Sequence, residues 1–163
     1  MNLTSMATVA TCLALLGAPQ VLAQTADPAP AYDAALAKRL GADERGMRNF
    51  VLVILKTGPT RVPDGGERKA MFAGHFANIE KLAAAGKLVL AGPFEADPAG
   101  WRGLFVLAVD DIDEARRLTA TDPVIIRGEM VAEYHRWYGS AATMMLPGIH
   151  ARLLPKATAE AAD

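Results

Sequence analysis

The sequence predicts an α+β domain with a ferredoxin-like βαββαβ order, in which a four-stranded antiparallel sheet carries two helices on one face. Three observations lead there. Four short apolar runs are separated by glycine and proline breakers. A helical stripe between the first two runs stops at Gly86. An aspartate-initiated second helix stands between the third and fourth runs.

Asn49 to Lys56 (NFVLVILK) is a continuous Val/Ile/Leu run, the pattern of a strand covered on both faces. Thr57 to Gly66 (TGPTRVPDGG) is a loop, broken by glycine, proline and an Asp-Gly pair. From Glu67 to Ala85 the residues Met71, Phe72, His75, Phe76, Ile79, Leu82 and Ala83 recur at three and four positions. They form one apolar helical stripe. Gly86 is the C′ residue that lets the chain leave in a left-handed conformation. Lys87 to Ala91 is the second strand, ended by Gly92-Pro93, and Glu95 to Gly100 is a turn. Gly103 to Val109 is the third strand. Asp111 then caps a helix whose Glu114 is placed to reciprocate in a capping box, and this helix stops before Pro123. Glu129 to Tyr138 is the fourth strand.

With both helices on one face of the sheet, the other face is left bare. Yet the first and third strands are apolar at consecutive positions, and soluble monomers rarely expose a patch of that size. A second sheet from an identical subunit would cover it, giving a homodimer. The alternative is that Ser140 to Leu154 folds back over it.

The chain of 163 residues is long enough for one domain. Its hydrophobic fraction of 52% and charged fraction of 21% are those of a globular protein, and its net charge of −1 leaves no electrostatic footprint for nucleic acid. Residues 1–23 carry no charge and contain the apolar run Met6 to Leu16, with Val21 and Ala23 at the −3 and −1 positions of a cleavage site before Gln24. They are expected to be a signal peptide, although no Lys or Arg precedes the apolar run. The mature protein is then periplasmic or secreted, with no stable membrane insertion. A misassigned start codon would instead leave it cytoplasmic. Cys12, the single cysteine, falls inside this segment, so a cleaved chain has no disulfide, thiol nucleophile or thiolate ligand. Residues 24–47 read as a Pro/Ala linker with a short helix from Tyr32 to Leu40. Residues 48–154 form the domain, and 155–163 a disordered tail.

His75 lies four residues after Met71 and four before Ile79, which turns it toward the sheet. A histidine there is either a core residue or an acid–base group. Asp122 lies four residues after Leu118, on the inner side of the second helix and near its C-terminus, where the macrodipole disfavours negative charge. An Asx-type turn before Pro123 would also explain it. If the two side chains meet, the carboxylate can hold the imidazole in one tautomer for general acid–base work. Arg102, beside Trp101 at the start of the third strand, could bind a substrate anion or stand as a solvated surface arginine. Glu133, His135 and Trp137 share one face of the last strand, with Tyr134, Arg136 and Tyr138 on the other, and either set could line a pocket or meet a partner subunit. His75, His135 and His150 lack metal-ligand spacing, and Gly58 to Gly66 lacks a phosphate-binding pattern. No metal and no cofactor are expected.

The segments GKLVLAGPF (Gly86 to Phe94), WRGLFVL (Trp101 to Leu107) and TDPVIIRGEMVAEYHRWYGSAA (Thr121 to Ala142), together with His75, resemble the YciI-like family, also called the YCII-related domain. The resemblance runs from about Asn49 to His150. It implies a dimeric α+β barrel and a His–Asp active site that maps onto His75 and Asp122; Gly92, Pro93, Arg102 and Trp137 are the substrate contacts expected beside it. Relatives sharing that barrel include muconolactone-isomerase-like proteins, small monooxygenases and dehalogenating lyases. The chain departs from the family pattern at Arg136, where proline is expected before Trp-Tyr, and in its apparent signal peptide. The expected function is that of a small-molecule enzyme of isomerase or lyase type, using a His–Asp pair on a small organic ligand. A non-catalytic binding barrel is the first alternative, and a haem-dependent barrel with His75 as axial ligand is the second.

Overall fold

The computed structural model describes residues 31–153. The expected signal peptide with Cys12, the 24–30 linker and the 155–163 tail lie outside the described residues.

Helix α1 (Ala34–Leu40) is capped by the Asp33 side chain and ends at Gly41, which has φ of +68°. It packs against a 3-10 turn at Ala141–Met145, so the compact unit begins at Asp33 rather than near Arg48. Strand β1 (Met47–Thr57) leads into helix α2 (Gly66–Ala84), strand β2 (Leu88–Pro93) and strand β3 (Trp101–Leu107). Helix α3 (Ile112–Thr119) is followed by the single turn α4 (Pro123–Ile126), strand β4 (Met130–Ser140) and helix α5 (Leu146–Leu153). The sheet order is β2-β3-β1-β4 with every pair antiparallel, which is the ferredoxin-like arrangement read from the sequence.

Several local signals act as anticipated. After α2, Gly86 has φ of +67°. Its N–H donates to the Ala83 carbonyl while the Lys87 N–H donates to that of Leu82, each at 2.9 Å, closing a Schellman motif. The Asp111 carboxylate accepts from the N–H groups of Asp113 and Glu114. The expected return bond from Glu114 is replaced by a 2.8 Å ion pair with Lys87, so only half of the capping box forms.

Strand limits differ at β2 and β3. Pro93 stays within β2 because β2 is an edge strand, where a missing donor costs no ladder bond. A register shift between Leu55 and Lys56 brings Trp101 opposite Lys56, so β3 starts two residues earlier than its apolar run.

The main core lies between the sheet and the helices. Val51, Val53, Leu55, Phe105 and Leu107 face Met71, Leu82, Ala115 and Val124, and all are buried. Each of these side chains larger than alanine contributes roughly 1.5–3 kcal/mol relative to exposure. On the opposite face Phe50, Val89 and Val106 pack with Met144 of the 3-10 turn, so the C-terminal segment does fold back over part of that face. The rest stays open, with Leu90, Val131 and Trp137 all well exposed. No helix among the described residues is long and apolar enough to cross a membrane.

Candidate active site

The site is built where α2 passes over the end of the sheet at which β2 stops and β3 begins. The buried positions of α2 are Met71, His75, Asn78 and Leu82, so His75 lies on the line of contact with the sheet. Its ring stacks on Phe105 of β3 at 6.0 Å and 25°, and meets Phe72 edge-on at 6.2 Å. These rings fix the imidazole plane.

Asp122 is completely buried and is not the end of the second helix. Helix α3 stops at Thr119, and Asp122 caps the separate turn α4, with Pro123 at its first position. This corrects the macrodipole objection: the carboxylate stands at a helix start, where negative charge is favoured. Its Oδ1 accepts from the Val124 N–H at 3.1 Å, which is the Asx-type turn considered from the sequence. The same carboxylate also reaches His75. Nδ1 lies 2.8 Å from Oδ2 and 3.0 Å from Oδ1. Turn and pair coexist because a carboxylate has lone pairs enough for both.

Two residues that the sequence reading passed over complete this arrangement. Asn78, one turn along α2 from His75, directs its Nδ2 at Asp122 Oδ2 across 3.4 Å, and its Oδ1 accepts from the Thr121 hydroxyl at 2.9 Å. A polar residue inside an apolar helical stripe was the signal for it. Gly74 sets the spacing of the two helices. A Cβ there would come within 2.9 Å of the Pro123 Cγ, so only glycine lets α2 and α4 approach this closely. The neighbours of that contact in sequence are His75 and Asp122.

With Nδ1 held by Asp122, Nε2 is the ring nitrogen left over. It has no hydrogen-bond partner among the described residues, yet it is not sealed off as a buried unsatisfied atom. His75 lines a cavity of about 460 Å³, within the usual range of ligand sites. Phe72, Phe76, Ile79, Phe94, Phe105 and Met130 give it mostly apolar walls. Gly92, Pro93 and Arg102 line the same cavity, whereas Asp122 stands behind the imidazole. A Cβ on Gly103 would come within 3.0 Å of the Gly92 carbonyl oxygen, so glycine at this position lets β3 lie close to β2 beside the cavity.

Trp137 does not join this group. It packs against Phe50 at 5.3 Å, on the sheet face turned away from the helices, because residues of its parity on β4 point there. As a substrate contact within one chain it is therefore corrected. His135 is on that open face too, 2.8 Å from Glu133, and His150 is on α5.

At the cavity's cationic end lies a second buried pair. Glu129, immediately before β4, is 3% exposed; it takes a 2.8 Å ion pair from Arg68 and a 2.7 Å hydrogen bond from the Val62 N–H. Arg68 holds the Glu129 carboxyl below the usual glutamate range, and the Val62 N–H adds to this against the cost of burial. This pair ties the 58–65 loop to the sheet, helped by bonds from the N–H groups of Gly58 and Thr60 to the carbonyls of Glu129 and Gly128. Among the described residues, no group of three or more His, Cys, Asp or Glu side chains could hold a metal ion.

A family model described as the YCII-related domain matches residues 49–137, more than half of the chain. The uncharacterized protein YjpA of Bacillus subtilis (strain 168) is 31% identical over 65 residues, covering 40% of this chain and 73% of that protein. Among solved structures, 5-chloro-2-hydroxyhydroquinone dehydrochlorinase (TftG) from Burkholderia phenoliruptrix AC1100, in complex with 2,5-dihydroxybenzoquinone, aligns with a TM-score of 0.39 at 21% identity. That alignment covers 53% of this chain and 92% of the other.

Proposed function

The chain belongs to the YCII-related domain family, and on that footing we propose that it is a small-molecule enzyme in which His75 moves a proton and Asp122 positions it. The observation that carries this reading is the division of labour on one ring. Nδ1 is bound to a fully buried carboxylate, while Nε2 is left to an apolar cavity.

In the neutral ring the carboxylate accepts the Nδ1–H, so the lone pair sits on Nε2. A carbon acid bound in the cavity, with its C–H beside a carbonyl, gives that proton to Nε2. The carbon–hydrogen bond pair becomes the enolate, and the ring becomes an imidazolium whose charge Asp122 compensates. Return of the proton to a different carbon completes an isomerisation. Loss of a leaving group from the β-carbon, with its bonding electrons, completes an elimination.

Leu90, Val131 and Trp137 leave the second sheet face partly uncovered, which supports a homodimer formed through that face as part of the same proposal.

The test is solvent-deuterium incorporation into phenylpyruvate, an enolisable acid with an apolar ring. The wild-type protein should accelerate exchange at the carbon next to the ketone. His75→Ala should abolish the acceleration while the protein stays folded in the same oligomeric state, at a lowered melting temperature because buried Asp122 loses its partner. Ligand binding without exchange would favour the non-catalytic binding barrel.

A further inference from the structure

From the guanidinium without a hydrogen bond at one end of the cavity, we propose that Arg102 is the substrate-specificity residue of this site and that the substrate is a carboxylate with an apolar, ring-sized body. The inference rests on the proton-transfer reading above, because a carboxylate gripped at Arg102 is what would aim the carbon acid at His75 Nε2.

Two guanidinium groups stand near the Glu129 carboxylate, and Arg68 also lies 3.4 Å from the exposed Asp64. Arg68 contacts Glu129 Oε1 at 2.8 Å, and Val62 N–H occupies Oε2 at 2.7 Å. Arg102 Nη1 is left 3.9 Å from Oε1, too far for a hydrogen bond. The hydrogen bonds of Glu129 are thus taken up by Arg68 and Val62, and Arg102 is held near it by charge without a hydrogen bond. The Arg102 side chain is about two-thirds buried and makes no hydrogen bond to any described residue.

Arg102 is also the one residue of fixed charge lining the cavity among the described residues. A planar fork of free N–H donors facing an apolar space is matched by a carboxylate, which takes two parallel hydrogen bonds. The other walls are rings and aliphatic chains, including Phe72, Phe76, Ile79 and Phe94. They leave few partners for a polar or multiply charged body. Glu129 then has a task beyond holding the loop: at 3.9 Å it holds the Arg102 guanidinium by charge without taking up its N–H donors.

The experiment is calorimetric binding of benzoate and its neutral isostere benzamide to the full protein. Wild type should bind benzoate about 10- to 100-fold more tightly, the range for one charge-assisted pair. Raising the salt concentration should weaken benzoate but not benzamide. Arg102→Met and Arg102→Gln should each remove the preference, whereas His75→Ala should keep it. Equal binding of the two probes, binding of neither, or a preference that survives in both Arg102 variants would overturn the proposal. Benzoate preference without deuterium exchange would sink the proton-transfer reading and leave the carboxylate site standing.

Discussion

Replacing Gly74 by alanine separates the geometry of the site from the stability of the fold. A Cβ at Gly74 would lie 2.9 Å from Pro123 Cγ and 3.7 Å from Pro123 Cβ. Carbon atoms rest at about 3.5–4.0 Å, so α2 and α4 must part by roughly 0.6 Å. Proline offers little side-chain freedom to absorb this. The 2.8 Å contact between His75 Nδ1 and Asp122 would stretch toward about 3.4 Å, beyond a good hydrogen bond. Stability should fall by at most about 2 kcal/mol, because alanine gains about 1 kcal/mol over glycine inside a helix and the overlap costs about 1–3 kcal/mol. Deuterium exchange into phenylpyruvate should nevertheless fall by about 10- to 100-fold, the effect of a sub-ångström to 1 Å misplacement of a catalytic group. Thermal melting read beside the exchange rate makes the comparison. An unchanged rate would refute the reasoning, as would a rate that falls only in proportion to lost folded protein.

Asp122→Asn keeps an oxygen to cap Val124 but offers an amide N–H to His75. The ring should then carry its proton on Nε2, and exchange should drop by about 10²–10⁴-fold with the fold intact, as circular dichroism and the same assay would show. Glu129→Gln removes the buried anion of Arg68, leaving only the exposed Asp64 at 3.4 Å, and should cost about 3 kcal/mol in urea unfolding. The Glu129 carboxyl is held low in the folded state, so its stabilisation is complete above the ordinary glutamate value of about 4.3 and drains as pH falls through the depressed one. The variant should lose that part of the acid sensitivity; acid unfolding identical to wild type would count against the pair. Val131→Lys, on the open sheet face, should convert a two-chain particle to one chain by light scattering, whereas a wild type that is already monomeric would remove the homodimer.

The fold was legible because its signals are local. The apolar run at 49–56, the stop at Gly86 and the cap at Asp111 each answer to backbone chemistry within a few residues. Strand ends were less so, since Trp101 enters β3 through a register shift that depends on the partner strand. In the site, His75 was visible from its place on the helical stripe, but the environment of Asp122 was not. From sequence, Pro123 reads as the stop of one helix; in the structure it begins another turn, which reverses the sign of the dipole argument. Trp137 was misplaced because alternation along β4 separates its two faces without saying which one meets the helices. The Arg68–Glu129 pair is invisible to spacing of any kind, joining residues sixty-one apart through a loop.

The claim on which the chemistry stands is that the lone pair of neutral His75 is on Nε2, facing the cavity. Two-bond proton–nitrogen correlation NMR of the labelled protein in mildly alkaline solution reads this directly. The expected spectrum has His75 protonated on Nδ1 and unprotonated on Nε2, with the pattern lost in Asp122→Asn. A ring protonated on Nε2 in the wild type, or one averaging freely between tautomers, would contradict it.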